Sequence, residues 1–225
     1  MLKIENVEVF NFEGAIRGCR NPKASWKLSD SYWKDKTTEV TDSATGNQLG
    51  EFHTDREFVV GEKDLHLMRS LFQGGSEHRK YLRQIFVSFD MTCNQVLWMQ
   101  FDTYKIGTTK NSCSKMHRIH VKAFDPDDFS HEGISAVGGF AEDQFHRTLE
   151  TLEKLRNLFN ETKEKKYWRA MIELLPSGYN LKATITMNYE NVANIIHQRR
   201  GHKMDEWDQF IDFLKTLPYV KEIMF

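Results

Sequence analysis

Apolar residues recur along this chain at two periods, and the period changes where glycine, proline or asparagine interrupts it. Val7 to Phe12 alternates apolar and polar side chains, which predicts a first strand. Gly14 to Arg20 then predicts a short helix closed by Asn21-Pro22. Residues 24 to 60 carry Trp26 and Trp33, and their polar stretch from Thr41 to Gly50 ends in turn-formers, so this part reads as an irregular excursion or a hairpin. Leu65, Met68, Leu71 and Phe72 give a helix from Asp64 to Phe72, stopped by Gly74-Gly75. Ile85, Val87, Phe89 and Met91 alternate with Phe86, Ser88, Asp90 and Thr92 as a strand does.

Helical spacing returns from Asn94 to Phe101, followed by a polar loop, Thr103 to Ser114, around Gly107. Asp125-Pro126-Asp127-Asp128 is a loop or a helix start. Phe145, Leu149, Leu152, Leu155 and Phe159 form one stripe of the longest helix, Gly139 to Glu161, and Trp168, Met171, Ile172 and Leu175 a second helix before Pro176. Leu181, Ala183, Ile185 and Met187 belong to a half-buried strand, and Asn188 is a good N-cap for a helix ending at Gly201. Trp207, Phe210, Ile211 and Leu214 mark a last helix, which Pro218 terminates. The sum is an α+β chain in a single domain, 1–225, without internal repeats.

Charge changes this picture by exclusion. Lys plus Arg number 31 and Asp plus Glu 32, so nothing in the balance argues for a nucleic-acid polymer or an anionic membrane as partner, and any phosphate site must be built locally. Three widely spaced cysteines, Cys19, Cys93 and Cys113, fit reduced thiols better than a disulfide framework. The N-terminus meets charge at Lys3 and Glu5, and no apolar run has the length of a membrane span, so the expectation is a soluble cytoplasmic protein.

Three segments carry candidate chemistry. In the first, Asn188, Asn191, Asn194 and Gln198 form one stripe on a helix, with Arg199 close to it. Such a stripe either faces solvent while Val192, Ile195 and Ile196 face the core, or presents amides to a heteroaromatic ring and a guanidinium to a phosphate. In the second, Gly74-Gly75 exposes backbone amides before Ser76 and His78, as a helix stop or as the opening of an anion-binding helix. The third, Asp102 to His117, is dense in hydroxyls with Lys105, Lys110 and Lys115, either a solvated loop or a phosphate pocket. His117 and His120 lack further metal ligands at a recognisable spacing, so no metal is expected. Cys113 as a lone thiol reads more readily as a packed residue than as a nucleophile. Neither a Walker loop nor a Gly-x-Gly-x-x-Gly run is present.

In this order the segments resemble the flavin-dependent thymidylate synthases. Leu175-Pro176, the strand from Leu181 to Met187, then Asn188, Asn194 and Arg199 are similar to that family's Leu-Pro, strand, Asn-x-x-x-x-x-Asn-x-x-x-x-Arg arrangement. Gly75-Ser-Glu-His78 looks like a shortened Gly-His-Glu-Ser/Thr-x-x-Glu-His element. Asn111 and Ser114 resemble the Asn and last Ser of the signature Arg-His-Arg-x-x-Ser-x-Asn-Glu-x-Ser-x-Arg. Ala15 to Arg20 resembles, less specifically, an Ala-Ala-Arg-x-Ser stretch.

The resemblance implies long helices on a small mixed or antiparallel sheet. It implies FAD held by Ser76, His78, Lys105, Asn188, Asn194 and His202, and a pyrimidine nucleotide held by Asn111, Ser114 and Arg199. The implied reaction is reductive methylation of dUMP to dTMP with NADPH and methylenetetrahydrofolate, in a homotetramer with sites between subunits and with no enzyme nucleophile. The chain departs from the pattern where Tyr104-Lys105-Ile106 replaces Arg-His-Arg, Ser112 the signature Glu, Met116 the closing Arg, and Glu190 a family arginine. Those departures leave open C5 modification of another pyrimidine nucleotide, or nucleotide binding without catalysis on the same scaffold.

Overall fold

Four strands form the main sheet of the computed structural model, which describes residues 2–41 and 48–225. They are β1 (Lys3–Phe10), β4 (Phe86–Asn94), β5 (Thr108–Ser112) and β6 (Asn180–Asn188), in the order β1-β4-β6-β5. A separate hairpin pairs β2 (Tyr32–Thr41) with β3 (Gln48–Val59) antiparallel, Trp33 opposite Phe58. The hairpin reading of 24–60 therefore holds on the described residues, while residues 42–47 of the polar stretch lie outside them. Ten α-helices are described: α1 (Phe12–Arg20), α2 (Glu62–Gln73), α3 (Gln95–Phe101), α4 (Lys115–Arg118), α5 (Glu132–Val137), α6 (Gly139–Thr162), α7 (Lys165–Leu174), α8 (Tyr189–Gln198), α9 (Asp205–Thr216) and α10 (Val220–Met224).

The main sheet is antiparallel throughout. Asn6 donates to Asp90 while Phe10 stacks on Phe86, so β1 and β4 run oppositely. Thr184 donates to Asp90 and Thr186 to Ser88, which sets β6 against β4, and β5 pairs Thr108 with Met187 through Ser112 with Ala183. Val87, Phe89, Met91 and Cys93 are buried on one face of β4, and Ala183, Ile185 and Met187 on one face of β6, as the alternation predicts. The opposite face carries a polar network in which Lys182 pairs with Glu5 and Asp90.

Several predicted boundaries shift. The first strand is Lys3–Phe10, not Val7 to Phe12, because Asn11 adopts a left-handed conformation (φ 74°) that breaks the extended chain and lets Phe12 open α1. The polar loop from Thr103 to Ser114 contains β5. This is an edge strand, so its Thr-Thr-Lys-Asn-Ser sequence needs no apolar face. Helix α8 ends at Gln198, ahead of Gly201, whose φ of 68° is the left-handed turn that redirects the chain. Pro218 does end α9, but Tyr219 at φ 60° starts a further helix, α10. Residues 76–78 form a turn, His78 N–H bonding to Gly75 O at 3.0 Å, and no α-helix opens there; a 3-10 turn, Lys80–Gln84, follows.

The contacts divide the chain into two compact units. One comprises Met1–Glu8, Val87–Met187 and Ile195–Asp212, the other Val9–Phe86, Asn188–Asn194 and Phe213–Phe225. The first contains an aromatic core in which Phe89, Phe101, Trp207 and Phe210 meet. It also contains a cluster of Phe129, Phe145, Leu149, Leu152 and Met171, where α6 and α7 pack their predicted stripes. The second unit has Phe12 edge-on to Tyr189 and Tyr219, and Tyr189 donates to Pro218 O at 2.9 Å. Beside them Asp64, fully buried, gathers Arg20 and the hydroxyls of Ser29 and Ser31, each at 2.6 Å. Among the described residues no helix is long and apolar enough to cross a membrane.

Candidate functional site

The amide-bearing helix begins as its sequence requires. Asn188 ends β6, and its Oδ1 accepts the Asn191 N–H at 3.0 Å, which satisfies one of the free donors of the first turn of α8. Val192, Ile195 and Ile196 are buried as expected. Asn188 and Asn191 are buried too, so the first turn of the amide stripe is not a solvent face. Asn194 is half-buried, and its carboxamide has no hydrogen-bond partner among the described residues.

Glu190 sits in that same first turn and is also buried. Arg79 binds its Oε1 from Nε and Nη2, both at 3.0 Å, and Arg83 Nε stands 3.9 Å from Oε2. Oε2 is itself buried without a hydrogen-bond partner among the described residues. A carboxylate is favoured electrostatically at a helix N-terminus, and Arg79 neutralises it there. The sequence pattern singled out Glu190 as a departure; its partner lies 111 residues away and carried no sequence signal.

Arg199 follows the last turn of α8 and is held from the side. Its Nε donates to Tyr104 OH at 2.9 Å, and its guanidinium lies 4.6 Å from the centroid of Trp207. The ring of Tyr104 is 5.4 Å away. One edge of the guanidinium is thereby fixed, a preorganised fork rather than a free surface cation. His202 accepts the Met204 N–H on Nδ1 at 3.1 Å, with its ring edge-on to Trp207.

In the 102–117 segment the structure sorts the candidates. Lys110, Ser112 and Lys115 line one cavity of about 310 Å³ with Gln95, Trp98 and Asp102. Lys110 pairs with Asp102 and lies 4.8 Å over the Trp98 ring, and Lys115 donates to Gln95. Asn111, one position along β5, points to the other side of the strand and is exposed. Ser114 precedes α4, with no capping hydrogen bond from its side chain. Lys105 is exposed in the turn before β5 and is not in that cavity. Ser76 and His78 are exposed in their own turn, the His78 ring lying against Gly74. The hydroxyl and lysine density of the segment could be read from sequence, but not which lysines share a cavity.

The thiols divide differently. Cys19 and Cys93 are buried; burial raises the Cys93 thiol and pushes Cys19 up to about 12, which keeps both protonated. Cys113 is exposed, not packed as its isolation suggested. It follows β5 directly, and its N–H donates to Lys182 O of β6 at 2.9 Å. Among the described residues no group of three or more metal-ligating side chains occurs.

The fold is that of the flavin-dependent thymidylate synthases. The chain is similar over 99% of its length to a structure of thymidylate synthase X from Helicobacter pylori with FAD and dUMP, covering 97% of that chain at a TM-score of 0.65 and 15% identity. A second structure of the flavin-dependent enzyme from Helicobacter pylori, complexed with FAD and dUMP, is matched over the same shares at a TM-score of 0.64 and 15% identity. No protein-family model matches the chain, and no curated protein matches it by sequence. As a test of fit to a flavin, the free carboxamide of Asn194 offers the donor and acceptor that an isoalloxazine edge requires, so the residues of α8 suit the ring.

Proposed function

We propose that this chain is a flavin-dependent enzyme of the thymidylate synthase type, methylating dUMP to dTMP with FAD, NADPH and methylenetetrahydrofolate. The observation that carries this reading is the likeness over 99% of the chain, and 97% of the other, to a thymidylate synthase solved with FAD and dUMP. On this reading Asn188, Asn194 and His202, with Ser76, His78 and Lys105, hold the flavin. Arg199 forks onto the nucleotide phosphate, supported by Asn111 and Ser114. Bound flavin supplies the reducing hydride. The chain's own groups bind, orient and exclude water: Tyr104 and Thr103 hold Arg199 through Nε and Nη2, which leaves Nη1 and the second Nη2 hydrogen for an anion, and the Asn194 amide reads a ring edge.

The assigned residues lie on separate turns, strands and helices, which supports completion of the site by other copies and hence a homotetramer, in the cytoplasm. The test is purification followed by anaerobic incubation with dUMP, methylenetetrahydrofolate and NADPH, with UMP and dCMP run alongside to read the nucleotide. A yellow protein that yields dTMP and elutes with tetramer mass is the expected result. A colourless monomer whose melting temperature ignores saturating FAD would remove the reading.

A further inference from the structure

A cavity of about 330 Å³ lies in the first unit, bounded by Met116, His120, Phe159, Lys163, Lys165 and Trp168. None of the residues assigned above lines it. Its walls are fixed from within the fold: Trp168 Nε1 donates to Met116 O at 3.2 Å, and Asn160 donates to His120 O at 3.0 Å. The His120 ring stands edge-on to Phe159 at 5.0 Å, and its Nδ1 is buried with no hydrogen-bond partner among the described residues.

The charge on this cavity has one sign. Lys163, turned by its left-handed backbone at the end of α6, lies 5.8 Å over the Phe159 ring. Neither Lys163 nor Lys165 has a carboxylate partner among the described residues, since Glu164 between them pairs with Lys166 at 2.7 Å. Among the described residues no acidic side chain lines the cavity. Aromatic walls accept a flat ring, and two unpaired ammonium groups accept an anion. The volume falls at the small end of the ~300–1,000 Å³ usual for ligand pockets.

We propose that this cavity binds a planar aromatic ligand bearing a carboxylate or a phosphate. Trp168 reports occupancy, so the experiment is fluorescence titration of the full-length protein with 4-aminobenzoate and with phenyl phosphate, using Trp168→Phe to show that the signal is local. The expected result is saturable quenching by at least one probe, which identifies the anion. The double variant Lys163→Glu, Lys165→Glu, at two exposed positions and checked for an unchanged far-UV circular dichroism spectrum, should weaken that probe by about tenfold or more. Arg199→Ala, which belongs to the proposed nucleotide site, should leave it unchanged. The proposal is overturned if neither probe quenches wild type, if the double variant binds both as tightly, or if Arg199→Ala alone abolishes the signal.

Discussion

Replacing Arg199 with alanine separates structural from binding roles, because the structure lets both be sized. The side chain loses a hydrogen bond to Tyr104 of 2.9 Å and a cation–π contact 4.6 Å from the Trp207 centroid. A hydrogen bond to a charged group contributes about 1.5–3 kcal/mol and an exposed cation–π contact about 0.5–1. The guanidinium is half-buried, so the lower ends apply and the variant should lose about 2 kcal/mol in urea unfolding. A bare surface cation at a helix end would cost less than about 1 kcal/mol. If the remaining N–H groups fork onto a phosphate, calorimetric titration should show dUMP binding weakened by a further 1.5–3 kcal/mol, roughly tenfold to more than a hundredfold. Tyr104→Phe keeps the ring and removes the hydroxyl, so it should cost about 1.5 kcal/mol of stability and perturb nucleotide binding much less than Arg199→Ala. Equal dUMP affinity in wild type and Arg199→Ala would refute the phosphate role, and a stability loss under about 0.5 kcal/mol would refute the stacked arrangement.

Asp64→Ala strands the Arg20 guanidinium, whose side chain is 6% exposed, so a loss of about 3–5 kcal/mol is expected in urea unfolding; a loss under about 1 kcal/mol would mean the pair is not a buried one. For the Asp64 carboxyl burial acts upward, but donation from Ser29, Ser31 and Arg20 outweighs it, while Thr184, Asn6 and Lys182 hold Asp90 down to about 2. Both folded-state values lie below the unfolded ones, so their stabilisation is complete above the ordinary carboxylate range near ~4 and is lost as pH falls toward ~2. Melting temperature measured against pH should therefore drop over that window, and Asp90→Asn should flatten the drop; a parallel acid limb in the variant would contradict the Asp90 assignment. Asn188→Ala removes the cap of α8 and should cost about 1 kcal/mol, while Asn188→Asp should retain most of it, read by thermal melting.

What could be read in advance was whatever periodicity encodes. The stripes of α6 and α7, the alternation in β4 and β6 and the Asn188 cap all follow from neighbours a few residues apart. Strand β5 escaped because an edge strand has no second neighbour to bury its side chains against, so Thr108 to Ser112 carries only polar residues. The shortest helices, α4 and α10, span too few turns to show a face. At the candidate site the residue types of α8 were legible, but their commitments were not. Tyr104 and Trp207 meet Arg199, and Arg79 meets Glu190, only through the fold. The neutralisation of Glu190 could not be inferred from a substitution that, taken alone, places an unpaired anion near a proposed ligand.

The interleaving of the two units bears on how this molecule comes into being. The chain passes from one unit to the other five times, at 8/9, 86/87, 187/188, 194/195 and 212/213. Neither unit is a stretch that a ribosome finishes before the other begins. Strand β1 must wait for β4, with 75 residues between them, before it gains its neighbour, and the segment Phe213–Phe225 is made after every part of the first unit. Closing such distant pairings is entropically slow, so the second unit is expected to assemble only once Phe213–Phe225 has been made, and no single truncation can release either unit whole.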